Sequence, residues 1–414
     1  MDFQVKQGYK KTEVGIIPED WEVTTFEKIA NIIDPQPDHR TPPESSRGEP
    51  YIGISDFLNE TTIDWENCRK IIPQAMNKQQ ASFKLTKGDI IFGKIGTIGL
   101  PKFLPVTNFR YSLSANVILI KPKIPSHFCM AWLKSSVIQK LINQDLHSTS
   151  QSAFGILKMR QLLIPLPPIA EQEKIAEALS DVDSLIESLE ELIAKKRHIK
   201  QGAMQELLTG KKRLSGFKQN AGYKQTELGL IPEDWNICKL GEAVDFLDGQ
   251  RRPIKASDRE KIKGDYPYYG ASGIVDYVNN YLFDEDLILL GEDGENILSR
   301  ALPLVFIAKG KFWVNNHAHV LKPNNSFNIK YLAAFLESLD YSLLNSGTAQ
   351  PKLNQQTCLK IEVLKPSKAE QTAIAEVLTD MDNEITALEE KLNKARQLKQ
   401  GMMQELLTGK TRLI

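Results

Sequence analysis

The chain carries one long segment twice, as AEQEKIAEALSDVDSLIESLEELIAKKRHIKQGAMQELLTGKKRL at residues 170–214 and as AEQTAIAEVLTDMDNEITALEEKLNKARQLKQGMMQELLTGKTRL at 369–413. In both copies apolar residues recur in alternating steps of four and three, which is the a/d spacing of a coiled coil. Each copy is therefore expected to form a long helix whose apolar seam packs against the other helix. The predicted seam residues are Ile175, Leu179, Val182, Ile186, Leu189, Ile193, Ile374, Leu378, Met381, Ile385, Leu388 and Leu392.

Charge is distributed unevenly along both predicted helices. Residues 171–191 are mostly acidic and the segment from Lys195 onward is basic, and the second copy changes sign in the same way after Glu390. Part of this polarity suits the dipole of each helix. In a parallel pair like charges would face each other along the whole length, whereas an antiparallel pair sets acidic halves beside basic halves. We therefore predict an antiparallel coiled coil with the globular parts at its two ends and an approximate two-fold axis.

A shorter motif is also duplicated. GYKKTEVGIIPEDW at 8–21 returns as GYKQTELGLIPEDW at 222–235, with eleven of fourteen positions identical. The intervening stretches, roughly 22–165 and 236–364, show no visible alignment with each other. Both contain short apolar or alternating runs bounded by Gly, Pro and Asn, which predicts strand-rich mixed structure. One frame with two different inserts favours a device that holds two different readers, because a duplicated enzyme would keep similar residues in both.

These patterns predict an α+β protein, in which two globular mixed α/β domains are separated by two long helices that form an antiparallel coiled coil in a pseudo-two-fold repeat. The predicted divisions are 1–165 and 215–365 for the globular domains and 166–214 and 366–414 for the helical regions.

Composition excludes several classes of protein. With 52 basic and 52 acidic residues the chain has no net charge, so nucleic-acid binding would have to rest on local basic surface. The four cysteines form no Cys-x-x-Cys pair, which is typical of reduced thiols in the cytosol. The N-terminus has no apolar signal-peptide core, and no run of about 18 apolar residues predicts a membrane span. We expect a soluble, cytoplasmic protein.

No catalytic or cofactor motif is complete. An amino-group methyltransferase needs a Gly-rich cofactor loop and an Asn/Asp-Pro-Pro-aromatic motif, and neither occurs. The tail GMMQELLTGKT (401–411) lacks a glycine that a phosphate-binding loop needs, since that position is Gln404. His317 and His319 have no third metal ligand beside them, which favours hydrogen bonding over metal binding. The sequence thus predicts no catalytic residue, no bound cofactor and no metal.

Three motifs in a fixed order resemble the specificity subunits of type I restriction–modification systems. They are GYKxTExGxIPEDW at 8–21 and 222–235, IPLPPIAEQ at 164–172, and KQGxMQELLTGKxRL at 200–214 and 399–413. The second half departs from the pattern, because LKPSKAEQ at 364–371 stands where the first half has IPLPPIAEQ.

The resemblance implies a non-catalytic DNA reader with two target-recognition domains, each contacting one half of a split site in double-stranded DNA. It also implies two modification subunits, which hold S-adenosylmethionine and methylate adenine. Restriction subunits with an ATP-driven, Mg-dependent motor would join them. These cofactors would all lie on the partner subunits.

The resemblance also implies which loops lie near DNA. FGKIGTIG (92–99) resembles the family's glycine turn beside DNA, and STSQSAFGIL (148–157) and SGTAQPKL (346–353) resemble small polar loops before the helices. Gln151 and Gln350 are candidate base readers, because glutamine pairs with adenine through two hydrogen bonds, and Arg251 and Arg252 are candidates for phosphate. A solvated turn is the alternative for each residue, and core packing for the tyrosines. The candidate DNA contacts are Lys94, Thr97, Ser150, Gln151, Arg251, Arg252, Tyr268, Tyr269, Ser272, Asn315, Asn316, His317, Gln350 and Lys352.

Two other functions remain open at this point. A fused DNA-modification enzyme would require the cofactor and catalytic motifs that are missing. A coiled-coil assembly scaffold with no DNA role would show no salt-dependent DNA binding.

Overall fold

The computed structural model describes residues 6–36, 40–148, 153–217, 222–345 and 350–413, apart from the side chains of 145–148. The chain forms two compact units: a first unit of residues 1–190 with 390–414, and a second unit of residues 191–389. Each long helix therefore contributes to both units. The four divisions expected along the chain stay a prediction.

The first unit contains eleven strands and five short helices, together with the start of the first long helix. The strands are β1 Tyr9–Thr12, β2 Gly15–Pro18, β3 Glu22–Thr25, β4 Ala30–Ile33, β5 Glu44–Ile52, β6 Lys70–Ile71, β7 Ile90–Gly93, β8 Pro101–Phe103, β9 Ser112–Leu113, β10 Val117–Pro122 and β11 Leu163–Leu166. The helices are α1 Phe26–Ile29, α2 Pro73–Ser82, α3 Ser126–Lys134, α4 Ser136–Ser148, α5 Ile156–Gln161 and the long α6 Ile169–Leu207. These counts refer to the described residues.

The second unit is built in the same way. Its strands in the described residues are β12 Tyr223–Thr226, β13 Gly229–Pro232, β14 Asn236–Lys239, β15 Val244–Phe246, β16 Lys263–Gly270, β17 Gly273–Val278, β18 Phe283–Asp284, β19 Leu287–Gly291, β20 Val305–Ala308, β21 Lys311–Val314, β22 Ala318–Pro323 and β23 Glu362–Lys365. The helices are α7 Leu240–Ala243, α8 Ala256–Arg259, α9 Asn296–Ser299, α10 Ile329–Glu337, α11 Gln355–Cys358 and the long α12 Lys368–Leu406.

The two middle stretches share a sheet topology although their sequences do not align. The first unit has an antiparallel sheet in the order β4-β10-β7-β8, and the second has β15-β22-β19-β20. A second sheet contains a parallel pair in each unit, β5 with β9 and β16 with β21. The repeat therefore extends further than the sequence predicted, because the two inserts also share one arrangement of strands.

The central strands are apolar because both faces of the sheet are covered. In β7, Ile90 and Phe92 belong to one core cluster and Ile91 to another. In β19, Ile288 and Leu289 divide between two clusters in the same way. Side chains of a strand alternate between its faces, so one core lies on the helix side and the other on the side of the second sheet. An apolar run without polar alternation is the sequence pattern of such a strand.

Each insert begins and ends on paired strands. β3 lies antiparallel to β11, with Glu22 opposite Leu166, and β14 lies antiparallel to β23, with Asn236 opposite Lys365. The two ends of an insert therefore leave the frame side by side.

The expected antiparallel coiled coil of α6 and α12 is confirmed. Each helix has 39 residues, about 58 Å at about 1.5 Å per residue. In the first unit Arg396 lies 2.6 Å from Glu190 and Lys399 contacts Asp183, and Arg412 beyond α12 reaches the start of α6. As the residue numbers rise along one helix, those of the contacted residues on the other helix fall, so the two helices run antiparallel. In the second unit the pairs are Lys196–Glu384 at 2.6 Å, Arg197–Glu389 at 2.5 Å and Lys200–Asp382 at 2.5 Å.

The seam residues lie along these contacts. All twelve are buried or half-buried, whereas Leu185, Ile199 and Leu398 beside them are exposed. In the described part of the chain no helix is long and apolar enough to cross a membrane.

A buried clamp closes the first unit. The indole of Trp21 donates to Glu171 Oε2 at 3.1 Å, and the Arg412 guanidinium donates to both Glu171 and Asp20. The hydrogen bond from Arg412 lowers the pKa of the Asp20 carboxyl. The clamp joins the end of the first motif, the start of α6 and the segment after α12.

The second unit has an equivalent clamp. Trp235 donates to Glu370 Oε2 at 3.0 Å, and Arg213 donates to Glu370 at 2.7 Å and to Asp234 at 2.9 Å. The Arg213 and Glu370 side chains are only 4% and 2% exposed. The duplicated PEDW, AEQ and GKxRL motifs supply the members of both clamps, which gives their repetition a structural reason.

Removing one member of a buried ion pair leaves the other charge desolvated. We expect Arg213→Met to lower the free energy of unfolding by about 3 kcal/mol. The control is Lys212→Met, because Lys212 makes only an exposed contact with Glu206 at 3.8 Å and should matter by less than about 0.5 kcal/mol. Urea unfolding followed by tryptophan fluorescence measures both variants, and equal losses would contradict the clamp.

Candidate nucleic-acid interface

Three chain segments meet where the central strands of the second unit end. Glu292 directly follows β19, and its N–H donates to the carbonyl of His317 at 2.8 Å. The carbonyl of Glu292 accepts from the N–H of Leu353, also at 2.8 Å. Segments 292–294, 315–317 and 350–353 are therefore tied together, and we call them the second loop cluster.

The first unit repeats this arrangement. Lys94 directly follows β7, its N–H donates to the carbonyl of Asn116 at 2.8 Å, and its carbonyl accepts from Phe154 at 2.9 Å. Segments 94–97, 114–116 and 153–154 form the first loop cluster. Lys94 thus corresponds to Glu292, and Asn116 to His317. Both Asn116 and His317 are exposed.

An acid lies at the same place in both units. Asp34 follows Ile33, which pairs with Leu119, and Asp248 follows Leu247, which donates to the Val320 carbonyl at the matching position. In the first unit the Lys94 ammonium lies 3.2 Å from Asp34, with both side chains mostly buried. An acid–base pair therefore lies beneath the first loop cluster.

In the second unit the same acid has different partners. Arg251 Nη1 donates to Glu292 Oε2 at 2.6 Å, and its Nη2 lies 3.4 Å from Asp248. Lys352 Nζ lies 3.2 Å from Glu292 Oε1. Because a glutamate stands where the first unit has Lys94, Arg251 supplies the cation that this exchange removes.

His319 completes this network as a buried cation. Its Nδ1 lies 2.6 Å from an Asp248 carboxylate oxygen and its Nε2 lies 2.9 Å from the Leu353 carbonyl. Both partners can only accept, so both ring nitrogens donate. Burial opposes the imidazolium, but hydrogen bonds and charge at Asp248 and Cys358 outweigh burial and raise the pKa of His319 to about 10.

The ligand-type atoms of Asp248, Glu292 and His319 lie within 4.8 Å of one another. A metal would need a free imidazole lone pair. The Arg251 guanidinium already contacts both carboxylates and both imidazole nitrogens are donors. The carboxylates of Asp248 and Glu292 therefore bind the Arg251 guanidinium within the protein rather than a metal ion. His317, by contrast, is exposed and its Nδ1 lies 2.8 Å from Asp293, so the two histidines do not act as a pair.

The structure brings several predicted contacts to the surface of the second loop cluster. Asn316, His317, Gln350 and Lys352 are exposed there. Asn315 is buried, and its Oδ1 accepts from the His317 N–H at 2.8 Å, which holds the turn. DNA contact by the exposed residues stays a prediction.

Other predicted contacts lie elsewhere or have structural partners. Arg252 is exposed, whereas Arg251 is mostly buried in the network. Tyr268 is a core residue, only 1% exposed, and its hydroxyl accepts from the Ile254 N–H at 2.9 Å. Tyr269 is half-buried between aromatic rings, and burial raises its pKa. Core packing, the alternative for the tyrosines, therefore applies to Tyr268.

The remaining predicted contacts are half-buried or not described. Ser272 lies half-buried in the turn between β16 and β17, and Thr97 is half-buried in the first loop cluster. Ser150 and Gln151 lie outside the described residues.

Sequence reasoning missed the residues that organise the clusters: Asp34, Asn116, Asp248 and Glu292. One signal was available, because FGK (92–94) and LGE (290–292) both place a charged residue after an apolar strand and a glycine.

Known proteins resemble this chain in sequence and fold. Residues 18–196 and 232–397 match the family model described as the type I restriction modification DNA specificity domain. The chain is 28% identical over 441 residues to the putative type I restriction enzyme MjaX specificity subunit of Methanocaldococcus jannaschii, covering all of this chain and 99% of that protein. It is 24% identical over 444 residues to the MjaVIII specificity subunit of the same organism, covering all of this chain and 98% of that protein.

Solved structures agree in fold. The type I restriction–modification S subunit from M. genitalium superposes with a TM-score of 0.60 at 16% identity, covering 98% of each chain. A chain from a study of complex assembly in a type I restriction–modification system gives a TM-score of 0.51 at 16% identity, covering 95% of this chain and 99% of the other.

Measurements of stability can test whether Glu292 occupies the position of Lys94 and whether Arg251 supplies the positive charge in its place. Arg251→Met and Glu292→Lys should each lower the free energy of unfolding by about 3 kcal/mol, since each breaks a mostly buried pair. The double variant recreates the Asp–Lys pair of the first unit and should recover about 2 kcal/mol of that loss.

A matched cycle on Asp284→Lys and Lys311→Met serves as the control, because this pair is exposed and 3.9 Å apart. Its two effects should add. If urea unfolding shows that the effects of Arg251→Met and Glu292→Lys are also additive, the positions of Lys94 and Glu292 are not equivalent.

Proposed function

The chain belongs to the family of type I restriction–modification DNA specificity domains, and we propose that it selects the DNA sequence on which such a complex acts. Each loop cluster would contact one half of a bipartite site in double-stranded DNA. The observation that carries this proposal is that two inserts without alignable sequence have one framework and differ at the loops: Lys94 against Glu292, and Asn116 against His317. A shared scaffold with different loops is suited to reading two different sequences.

The exposed groups of the second loop cluster have suitable chemistry. The amides of Asn316 and Gln350 can each donate and accept, as the edge of adenine requires. The exposed Arg252 suits a phosphate. Asn116 offers an amide at the corresponding place in the first loop cluster.

Chemistry would reside on partner subunits. We propose that two modification subunits carrying S-adenosylmethionine dock on the helical regions, and that restriction subunits with ATP and Mg join them in the cytoplasm. The chain itself would hold no cofactor and catalyse no reaction. Methyl transfer by the purified chain without partners would contradict this part of the proposal.

Exchange of one insert tests the reading function. Because β3 and β11 bring the two ends of residues 22–165 together, this stretch can be replaced by its counterpart from another family member without moving the frame. Methylation mapping in cells that also contain the modification subunit should show one changed half-site and one unchanged half-site. The reciprocal exchange of 236–364 is the control and should change the other half. A joint change of both half-sites in either exchange would show that the inserts do not read separately.

Lengthening the helices tests whether they set the spacer between the half-sites. Seven residues inserted after Ala194 and seven after Asn393 keep the a/d seam and add about 10 Å at about 1.5 Å per residue. The half-sites should stay the same while the spacer grows by about three base pairs at about 3.4 Å each. Methylation mapping again provides the measurement, with four-residue insertions at the same sites as the control that disrupts the seam. An unchanged spacer in an active complex would rule the helices out as the ruler.

A further inference from the structure

Glu292 connects all three segments of the second loop cluster through its backbone and contacts two cations through its side chain. Its backbone joins the segments that carry His317 and Leu353 through two hydrogen bonds of 2.8 Å. Its side chain lies 2.6 Å from Arg251 and 3.2 Å from Lys352.

The members of this group differ in exposure. The Glu292 side chain is 12% exposed, whereas that of Lys352 is 50% exposed. The carboxylate therefore lies beneath the surface, and the ammonium that it contacts lies at the surface. Lys352 is also paired with Asp293 across an isolated bridge of backbone hydrogen bonding, so the segment carrying the ammonium is fixed as well.

We propose that Glu292 is a positioning residue that holds the Lys352 ammonium for hydrogen bonding to guanine in the half-site read by the second unit. The inference rests on the proposed function and deepens it by assigning one recognised base to one side chain.

The argument is one of geometry and entropy. A lysine that contacts phosphate needs only its charge, and its flexible stem tolerates many positions. A lysine that reads a base must place its donor at the base edge, and immobilising a long side chain costs conformational entropy of about 1.5–2 kcal/mol. A carboxylate that holds the ammonium before DNA arrives reduces that cost. Guanine presents two acceptors, N7 and O6, in the major groove and is the base that lysine favours.

The device is specific to the second unit. The residue that corresponds to Lys352 in the first unit is Ala153, which forms the matching bridge with Ile95, and the residue that corresponds to Glu292 is Lys94. In the described residues, a surface lysine held by a buried carboxylate at these two positions therefore occurs in the second unit alone. Variants at Glu292 and Lys352 should leave the other half-site unchanged.

The test uses the full chain in complex with its modification subunits and a DNA library randomised over the half-sites. Lys352→Met should reduce the preference for guanine at one position of one half-site by about tenfold. Glu292→Gln should reduce the preference at the same position. The double variant should show no further loss, because both changes remove one contact. Glu285→Gln is the matched control, since it breaks the exposed contact of Glu285 with Lys322 at 2.7 Å, and it should leave every preference unchanged.

The competing outcomes are distinguishable. If Lys352→Met weakens all sequences equally and lowers the salt dependence, Lys352 contacts phosphate and the proposal is wrong. If Glu292→Gln lowers the melting temperature or the overall affinity without altering base preference, Glu292 is merely structural and the proposal is also wrong. Lys352→Met decides the role of the lysine even where Glu292→Gln does not fold. Failure of the wild-type complex to select any bipartite sequence would instead refute the proposed function itself.

Discussion

A buried carboxylate, Glu171 in one unit and Glu370 in the other, receives hydrogen bonds from a tryptophan and an arginine at the same time. Burying such a charge is unfavourable unless all its partners are present. The carboxylate and its partners come from three separate segments, so the clamp fixes where the PEDW motif, the helix start and the segment after the other helix lie. This requirement explains why these segments are repeated almost unchanged.

The inserts obey a different constraint. Their central strands are covered on both faces, so Ile90 and Ile91 in one unit, and Ile288 and Leu289 in the other, must stay apolar. The first position beyond each strand is free of this demand. Lys94 and Glu292 stand there with opposite charge, and each unit balances its own residue, with Asp34 in one case and Arg251 in the other. The two units thus differ in charge at the end of this strand, next to the loops where another molecule can be contacted.

The features that were predictable from the sequence are those with a local signature. The seam from Ile175 to Ile193 follows from a spacing within one segment, and the antiparallel arrangement follows from the order of charges along it. The network of Asp248, Arg251, Glu292 and His319 has no such signature, because its members come from separate segments and their pairing depends on strand register. Tyr268 shows the same limit. It lies in a turn-rich stretch typical of a surface, yet its hydroxyl satisfies the Ile254 N–H within the core.

Because the ribosome makes the chain in order of residue number, the members of the two clamps become available at different times. Arg213, Asp234 and Glu370 all belong to residues 191–389, so the second clamp has every member once that stretch has emerged. The first clamp needs Arg412, which is synthesised after all of residues 191–389, although Asp20 and Trp21 are synthesised before them. Domains commonly complete their folding in the order of synthesis. The unit that begins first is therefore completed after the second unit, and the nascent chain must hold Glu171 without its cation until Arg412 has been made.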